Sequence, residues 1–546
     1  MKRKAVAAVL TAVMVASMFT GCGSDNGSSS AKSASAASAA SAANDTVDED
    51  GKVNGIMYQE GLPLVDEGDY TFSIFCDDSS ESGEFIMLDE FKKQTNVDVD
   101  LKIYPYETAT ERLNLDLNSG DYADVIGGWT LSDNAILTYG VNQGVFIPLE
   151  DYFEKYCPNI SAILDLPGVR EKMTAPDGHI YTIPYVCGDT TVGYSPYINT
   201  KWLENVGMSM PTTTDEFEAV LKAFKEQDAN GNGDASDEIP FSTDPNNKHI
   251  EAMAGYFGLP MNKLGIAIQD EKVVYGGVSN TYREFLSWFH KLYADGLVDV
   301  ELYTQDSSTW EGKGNQDLYG VSIAYGSNEF TGIPAAEERG DFDSMPVLNT
   351  DKDGIWLRDT EGFSVYRTQA VITNKAEHPE IICRWFDNAF ALENGIGCNR
   401  GPVGVIVNKE DDGYHAIDTT TLSEEDQEKY SWGNLWPQSL PKYLPVDFEF
   451  VEEHPMYDEK KATEEAYEAN LTKEIIPSYW IDLDKIDTFS DTNTAIKDFF
   501  EQQQAQFVCG ELDIDNDADW QAYVDGMYSL GLEDWVATQG IEEIAK

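Results

Sequence analysis

Tyr70, Phe72 and Ile74 alternate with Thr71 and Ser73. Period-two alternation predicts a strand with one buried face. Phe85, Leu88 and Phe91 follow at helical spacing, and then Val97, Val99, Leu101 and Ile103 alternate with Asp98, Asp100 and Lys102. Strand, helix, strand with short connections predicts a parallel pair and a right-handed crossover. A third short strand over Ala123–Ile126 runs into Gly127-Gly128-Trp129. In open α/β sheets ligands bind beyond the carboxyl ends of the strands. Two loops thereby become site candidates, Cys76–Ser80 and Gly127–Thr130.

Further along, Thr213 and Glu216 have the spacing of a capping box. Phe217, Val220, Leu221 and Phe224 then fall on one helical face. A later strand, Val321–Tyr325, breaks at Gly326-Ser327-Asn328-Glu329-Phe330 and supplies a third strand-end loop. Pro379-Glu380 opens a helix through Trp385 and Phe390. The pattern predicts an α/β body of two lobes.

The amino terminus reads as an address. Lys2, Arg3 and Lys4 precede an apolar run from Ala5 to Phe19. Fifteen residues are too few to span a ~30 Å hydrocarbon core, so residues 1–21 are expected to be a secretory signal. Phe19-Thr20-Gly21-Cys22 resembles the lipobox of bacterial lipoproteins, which implies lipidation of Cys22. Residues 22–68, Ser- and Ala-rich at their start, are expected to be a flexible tether. The expected location is the outer face of a bacterial membrane, held by lipid alone, with two acyl chains for stable anchoring.

Charge narrows the partners. Asp and Glu number 97 against 37 Lys and Arg, a net charge of −60. Nucleic-acid affinity comes largely from cations on phosphates, so this balance argues against it. It argues equally against a surface that clings to anionic lipid. Beyond Cys22 the cysteines are Cys76, Cys157, Cys187, Cys383, Cys398 and Cys509, scattered and without a CxxC. Such a set permits disulfides without requiring them.

A set of ordered segments carries a resemblance. Gly120–Ile126, Gly144–Leu149, Pro158–Ile160, Asp177–Tyr181, Asp228–Pro240, His378–Glu380 and Trp432–Pro445 together resemble the family-1 extracellular solute-binding proteins of ABC importers. The similarity is to the long lipoprotein branch associated with oligosaccharide uptake. The resemblance implies a periplasmic-binding-protein-like clamp of two α/β lobes with multiple hinge crossings. It places crossings near Cys187–Thr191 and Ser364–Thr373. It implies a first lobe of 69–188 plus about 373–430, and a second of 189–372 plus about 431–546. The family pattern often carries a Tyr-Gly-Glu-Gly-like stretch where this chain has Asn394-Gly395-Ile396-Gly397.

Asp228-Ala229-Asn230-Gly231-Asn232-Gly233-Asp234 matches the first half of an EF-hand loop. Ca²⁺ takes six to eight oxygens at 2.3–2.6 Å, from positions 1, 3, 5 and the carbonyl of 7, with Gly at 6 for the turn. Position 12 is Ile239 where an EF-hand has Glu, and Asp237-Glu238 come earlier. The resembled family carries a similar loop, ending in Asp-Glu before Ile-Pro, that holds calcium. The expected ligands are the side chains of Asp228, Asn230, Asn232, Asp237 and Glu238 and the carbonyl of Asp234. An Asn/Gly turn that binds nothing is the competing reading.

The chain carries 11 Trp, 28 Tyr and 24 Phe, and aromatic planes grip the apolar faces of sugars while polar groups take the hydroxyls. Loop residues on a rigid scaffold are the better candidates. The expected ligand contacts are Asp78, Trp129, Tyr325, Glu329, Phe330, Trp356, Arg358, Arg400, Trp432 and Trp436. The expected activity is capture without catalysis: a monomeric subunit takes an oligosaccharide by lobe closure and presents it to a membrane permease. A peptide- or acidic-sugar-binding clamp is the first alternative, with Arg358 and Arg400 as a basic patch. A secreted glycoside hydrolase is the second, and no carboxylate pair is marked for it.

Overall fold

The computed structural model describes residues 45–545, except 79–83, 246–248, 333–339, 418, 446–447, 449 and 452–454. The signal segment and Cys22 lie outside the described residues, as does part of the Cys76–Ser80 loop. Nine strands build the two main sheets: β1 (Tyr70–Asp77), β2 (Val97–Tyr104), β3 (Val125–Gly127), β4 (Thr182–Gly188), β5 (Ser195–Asn199), β6 (Ile239–Thr243), β7 (Tyr319–Ala324), β8 (Phe342–Ser344) and β9 (Phe363–Ile372).

The first lobe is a five-stranded sheet in the order β2-β1-β3-β9-β4. β1 runs parallel to β2 and β3, with the helix Ile86–Thr95 between β1 and β2, as the alternation predicts. β9 returns antiparallel between β3 and β4. One face packs on an aromatic cluster in which Phe72 and Phe91 lie edge-on to Trp385, and Trp385 stacks on Trp436 at 5.7 Å. The other face holds Phe75, Ile126, Phe146 and Val371.

The second lobe is a four-stranded sheet in the order β8-β5-β7-β6. Its largest flanking helix, Asn280–Ala294, buries Tyr282, Phe285, Leu286, Phe289 and Leu292. The capped helix forms at Thr214–Glu226 with Phe217, Val220, Leu221 and Phe224 inward. Thr213 Oγ accepts from Glu216 N, while the Glu216 carboxylate reaches Thr212 N, one residue earlier than the capping box predicts.

Three expected boundaries move. The expected tether, 22–68, is folded from residue 45 onward. Lys52–Val53 pairs with Met57–Tyr58, and Val53, Met57, Leu64 and Val65 join the first-lobe core. The physical reason is a handful of apolar anchors in a polar stretch, fixed further by Arg384, which donates to the carbonyls of Tyr58 and Gly61. Ser364–Thr373, expected as a crossing, lies almost wholly in β9 inside the first-lobe sheet, and the connection into β9 is the short segment 359–362. The first lobe also continues past 430: Trp436 and Leu440 are buried in its core, and Tyr443 bridges to Val186 of β4. The chain then returns to the second lobe, where Tyr467, Ile496 and Phe500 are core residues.

The Asn394–Gly397 stretch keeps both glycines of the family pattern and departs from it at Asn394 and Ile396. Gly395 and Gly397 sit on the helix Leu392–Arg400. A Cβ on Gly395 would lie 2.0 Å from the Tyr443 carbonyl oxygen, and one on Gly397 would lie 2.6 Å from Met87 Cε. Gly395 lets this helix press against Tyr443, and Gly397 lets it press against the helix Ile86–Thr95. Gly395→Ala therefore forces backbone apart and is expected to lower stability by about 1–3 kcal/mol. The measurement is the shift in urea midpoint of the variant, and an unchanged midpoint refutes the packing account.

Candidate ligand cleft and metal loop

The cleft starts at the end of β1. The buried Asp77 carboxylate accepts from Trp129 N at 3.0 Å and Thr130 N at 2.6 Å, so β1 holds the loop that follows β3. The approach needs Gly128: its φ is +137°, and a Cβ there would stand 2.3 Å from Asp77 Oδ1. Trp129 is thereby set out into solvent, 46 % exposed.

Trp129 lies edge-on to Tyr366 at 5.3 Å, and Tyr366 stacks on Tyr185 at 5.5 Å. Lys442 Nζ sits 5.4 Å from the Tyr185 ring and 5.6 Å from the ring of Trp432, which is 56 % exposed. Lys442 donates to Gln438 Oε1 at 2.7 Å, and burial brings its pKa down to about 8. Burial also lowers the Arg400 guanidinium, beside Tyr185. These residues form the first-lobe wall.

The second-lobe wall is built at the ends of β5 and β7. Tyr194 stacks on His249 at 4.1 Å and meets Tyr325 edge-on at 6.0 Å. Burial lowers His249 to a pKa of about 4, so its ring is neutral at pH 7. Lys460 Nζ lies 3.7 Å from the Tyr325 ring centroid and donates to Gly193 O at 2.6 Å; burial lowers it to about 8. Glu329 accepts from Tyr325 N at 2.8 Å, and burial raises its carboxyl to about 7. The result is a set of flat apolar faces fringed by hydroxyls, amines and carboxyls. That combination suits a polyhydroxylated ligand.

Of the expected contacts, Trp129, Tyr325, Glu329, Arg400 and Trp432 stand on these two walls. Phe330 does not: it is buried among Trp310, Tyr319 and Phe342. Trp356 is core, edge-on to Tyr467, and Trp436 is core against Trp385. These three follow loop-like sequence but carry too much apolar area for the fold to leave exposed. Asp78 is 2 % exposed and accepts from Gln438 N at 2.8 Å, so it fastens the 436–440 segment. Arg358 donates to the Thr472 carbonyl and pairs with Glu468. It lines a separate cavity of about 370 Å³ with Asp133 and Tyr479, and forms no patch with Arg400.

The loop 228–238 closes on itself as an ion-binding loop does. Asn230 Oδ1 accepts from Asn232 N and Asn232 Oδ1 from Asp234 N. Asp237 takes the amides of Asn230 and Asn232, and Ala229 N donates to Glu238 Oε1. Asp234 Oδ1 accepts from Ser236 N and Ser236 Oγ, so its side chain is engaged within the loop. Two carboxylate oxygens, Asp228 Oδ1 and Glu238 Oε2, are buried with no hydrogen-bond partner. Burial, and then the neighbouring Asp237 charge, push the Glu238 carboxyl up. Buried unpaired carboxylate oxygens are costly without a cation, so these residues fit a hard divalent ion.

The sequence model of the bacterial extracellular solute-binding proteins matches residues 78–395. This chain belongs to that family. It is 31% identical over 411 residues to the fructooligosaccharide ABC transporter substrate-binding protein FusA of Streptococcus pneumoniae, a match covering 73% of this chain and 70% of FusA. The structure of FusA in complex with kestose superposes with a TM-score of 0.75 at 26% identity, covering 86% of this chain and 98% of that one. An FusA EF-hand mutant in complex with fructo-nystose gives 0.74 at 27%, with the same coverage. Lipoprotein LipO of Bacillus subtilis is 28% identical over 280 residues, 50% of this chain and 52% of LipO. Among the described residues no helix is long and apolar enough to cross a membrane.

Tyr185, Tyr366, Tyr194, His249, Lys442 and Lys460 escaped the sequence reading. In this solute-binding chain Tyr185 and Tyr366 come from strands, Lys460 from a helix, and Tyr194, His249 and Lys442 from the segments between elements, where no periodic pattern marks ligand contact. The only local signal is the aromatic density beside the crossings. Glu329 gives a direct pH test. Its folded pKa of about 7 stands above the ordinary 4.5, so the folded state holds a proton that the unfolded chain releases in between. That contribution is present below 4.5 and lost as pH rises through about 7. Glu329→Gln, neutral throughout, is expected to melt above the parent at pH 8, with the gap closing by pH 5. A gap that widens toward pH 5 refutes it.

Proposed function

We propose that this protein captures an oligosaccharide between its lobes at the extracellular face of the membrane and delivers it to the permease of an ABC importer. The observation that carries this reading is the pair of exposed tryptophans, Trp129 and Trp432, fronting the Tyr185–Tyr366 stack and facing a second aromatic wall. The relationship to FusA supports the same cargo class. Capture works by differential affinity for one arrangement of the lobes, so no bond in the glycan is made or broken. Cys22 carries the lipid, as the likeness to LipO supports, and the body acts as a monomer. Arg400 and Lys442 behind the first wall favour, as a second reading, a sugar with an acidic unit.

Calorimetric titration with kestose and with a galacturonate trimer separates the two. Saturable binding of kestose at about 1 μM or tighter, near −8 kcal/mol, with the sugar recovered intact, is the expected result. Trp129→Ala should weaken it about 30-fold, the loss typical of a central aromatic anchor. Binding of the trimer alone transfers the reading to acidic sugars, and cleavage of either sugar ends the non-catalytic one.

The 228–238 loop is proposed to hold structural Ca²⁺ through Asp228, Asn230, Asn232, Asp237, Glu238 and the Asp234 carbonyl. The two unpaired buried oxygens support this, and the FusA EF-hand gives it a precedent within the family. Calcium at about 100 times its Kd should stabilise the fold by about 2.7 kcal/mol. Scanning calorimetry with calcium and then chelator reads the rise and its reversal. The response should vanish in Asp228→Ala, and a parent melting temperature indifferent to calcium removes the metal from the reading.

A further inference from the structure

The first crossing carries a carboxylate that both walls share. Asp189 follows β4, and its N–H donates to Gly362 O at 3.0 Å, pinning the first crossing to the second. Its Oδ2 accepts from Ser364 Oγ at 2.6 Å and from the Tyr366 hydroxyl at 3.4 Å, both on β9 of the first lobe. Its Oδ1 accepts from Thr190 N at 2.8 Å and from the Tyr325 hydroxyl at 3.4 Å, at the end of β7 in the second lobe. One oxygen thus serves each lobe. An ionised carboxylate accepts at about four lone-pair positions, and hydrogen bonds to an ionised acceptor are stronger than neutral ones.

The two tyrosines it gathers are the middle rings of their walls. Tyr366 lies between Trp129 and Tyr185. Tyr325 lies between Tyr194 and Lys460. Any change in where this carboxylate sits moves the centre of both walls. We propose that Asp189 is the positioning residue of the cleft: it registers the first-lobe aromatic wall against the second and so sets the spacing of the ring faces that a ligand meets. The role in ligand affinity rests on the oligosaccharide reading; the registration of the walls does not.

The test has a ligand-free arm. The full-length protein is labelled with 3-fluorotyrosine, and Tyr325→Phe and Tyr366→Phe assign the two resonances. Asp189→Asn, which keeps the shape and removes the charge, is expected to shift both. A shift of one alone, or of neither, overturns the proposal. Should that variant fail to fold, Ser364→Ala perturbs the same carboxylate from the first lobe, and a silent Tyr325 resonance there overturns the proposal equally. The second arm titrates kestose. Asp189→Asn should weaken binding about 10-fold, the loss expected for hydrogen bonds to a charged acceptor, and adding Tyr325→Phe should change it less than about twofold further. Full additivity overturns the registration. If the parent ignores kestose, the cargo assignment falls while the fluorine arm still decides the role of Asp189.

Discussion

The cleft depends on one buried carboxylate at a strand end. Asp77 takes the amides of Trp129 and Thr130 with its side chain, and its main-chain carbonyl takes the Ser439 hydroxyl. One residue thereby ties together three stretches far apart in sequence: β1, the loop after β3, and the 436–440 segment. Burial raises its carboxyl, and the donors around it pull the other way. Take away the Asp77 carboxylate and Trp129 loses its footing, while Trp432 is fastened through Gln438, which donates to its carbonyl and is held in turn by Asp78. The Gly127-Gly128 pair is the other half of this constraint. At Gly127 a Cβ would meet Leu440 at 2.3 Å, and at Gly128 it would meet Asp77 itself.

Much of the frame was legible because it is written in periodicity. The 70–74 and 97–103 alternations and the cap at Thr213 appear where expected, and the strand expected at Val321–Tyr325 forms as Tyr319–Ala324. Strand-end logic also anticipated a loop Trp129, which the structure leaves exposed, because a Trp after two glycines at the end of a strand has few other places to go. What the pattern could not carry was the choice between loop tryptophans. Trp356 and Trp436 sit in non-periodic sequence just as Trp432 does, yet two are core and one is exposed. That choice depends on partners far away in sequence, Trp385 for Trp436 and Tyr467 for Trp356. Phe330 misled for the opposite reason: the turn after β7 points it back under the sheet, with Glu329 left to face the cleft.

The charge economy of the site is unlike that of the surface. A chain of net charge −60 places two of its few lysines, Lys442 and Lys460, in buried positions against aromatic rings. Each is satisfied by neutral acceptors, Gln438 in one case and backbone carbonyls at 192–193 in the other. A cation over a ring fixes the ring's plane without spending its open face. Acidic groups near the second wall, Glu329 above all, are correspondingly pushed toward their neutral forms. The rings of both walls are therefore held by cations packed against them.

The folded stretch from residue 45 changes the geometry of attachment. Had the chain stayed loose to residue 68, more than twice as much polymer would separate the lipid from the body. With Cys22 as the proposed lipid-bearing residue, only the 22 residues from Gly23 to Asn44 intervene. Covalent geometry caps their span at about 80 Å fully stretched. Under that proposal the receptor is confined to a shallow layer above the bilayer, where its search for a permease is two-dimensional and its local concentration is set by membrane area.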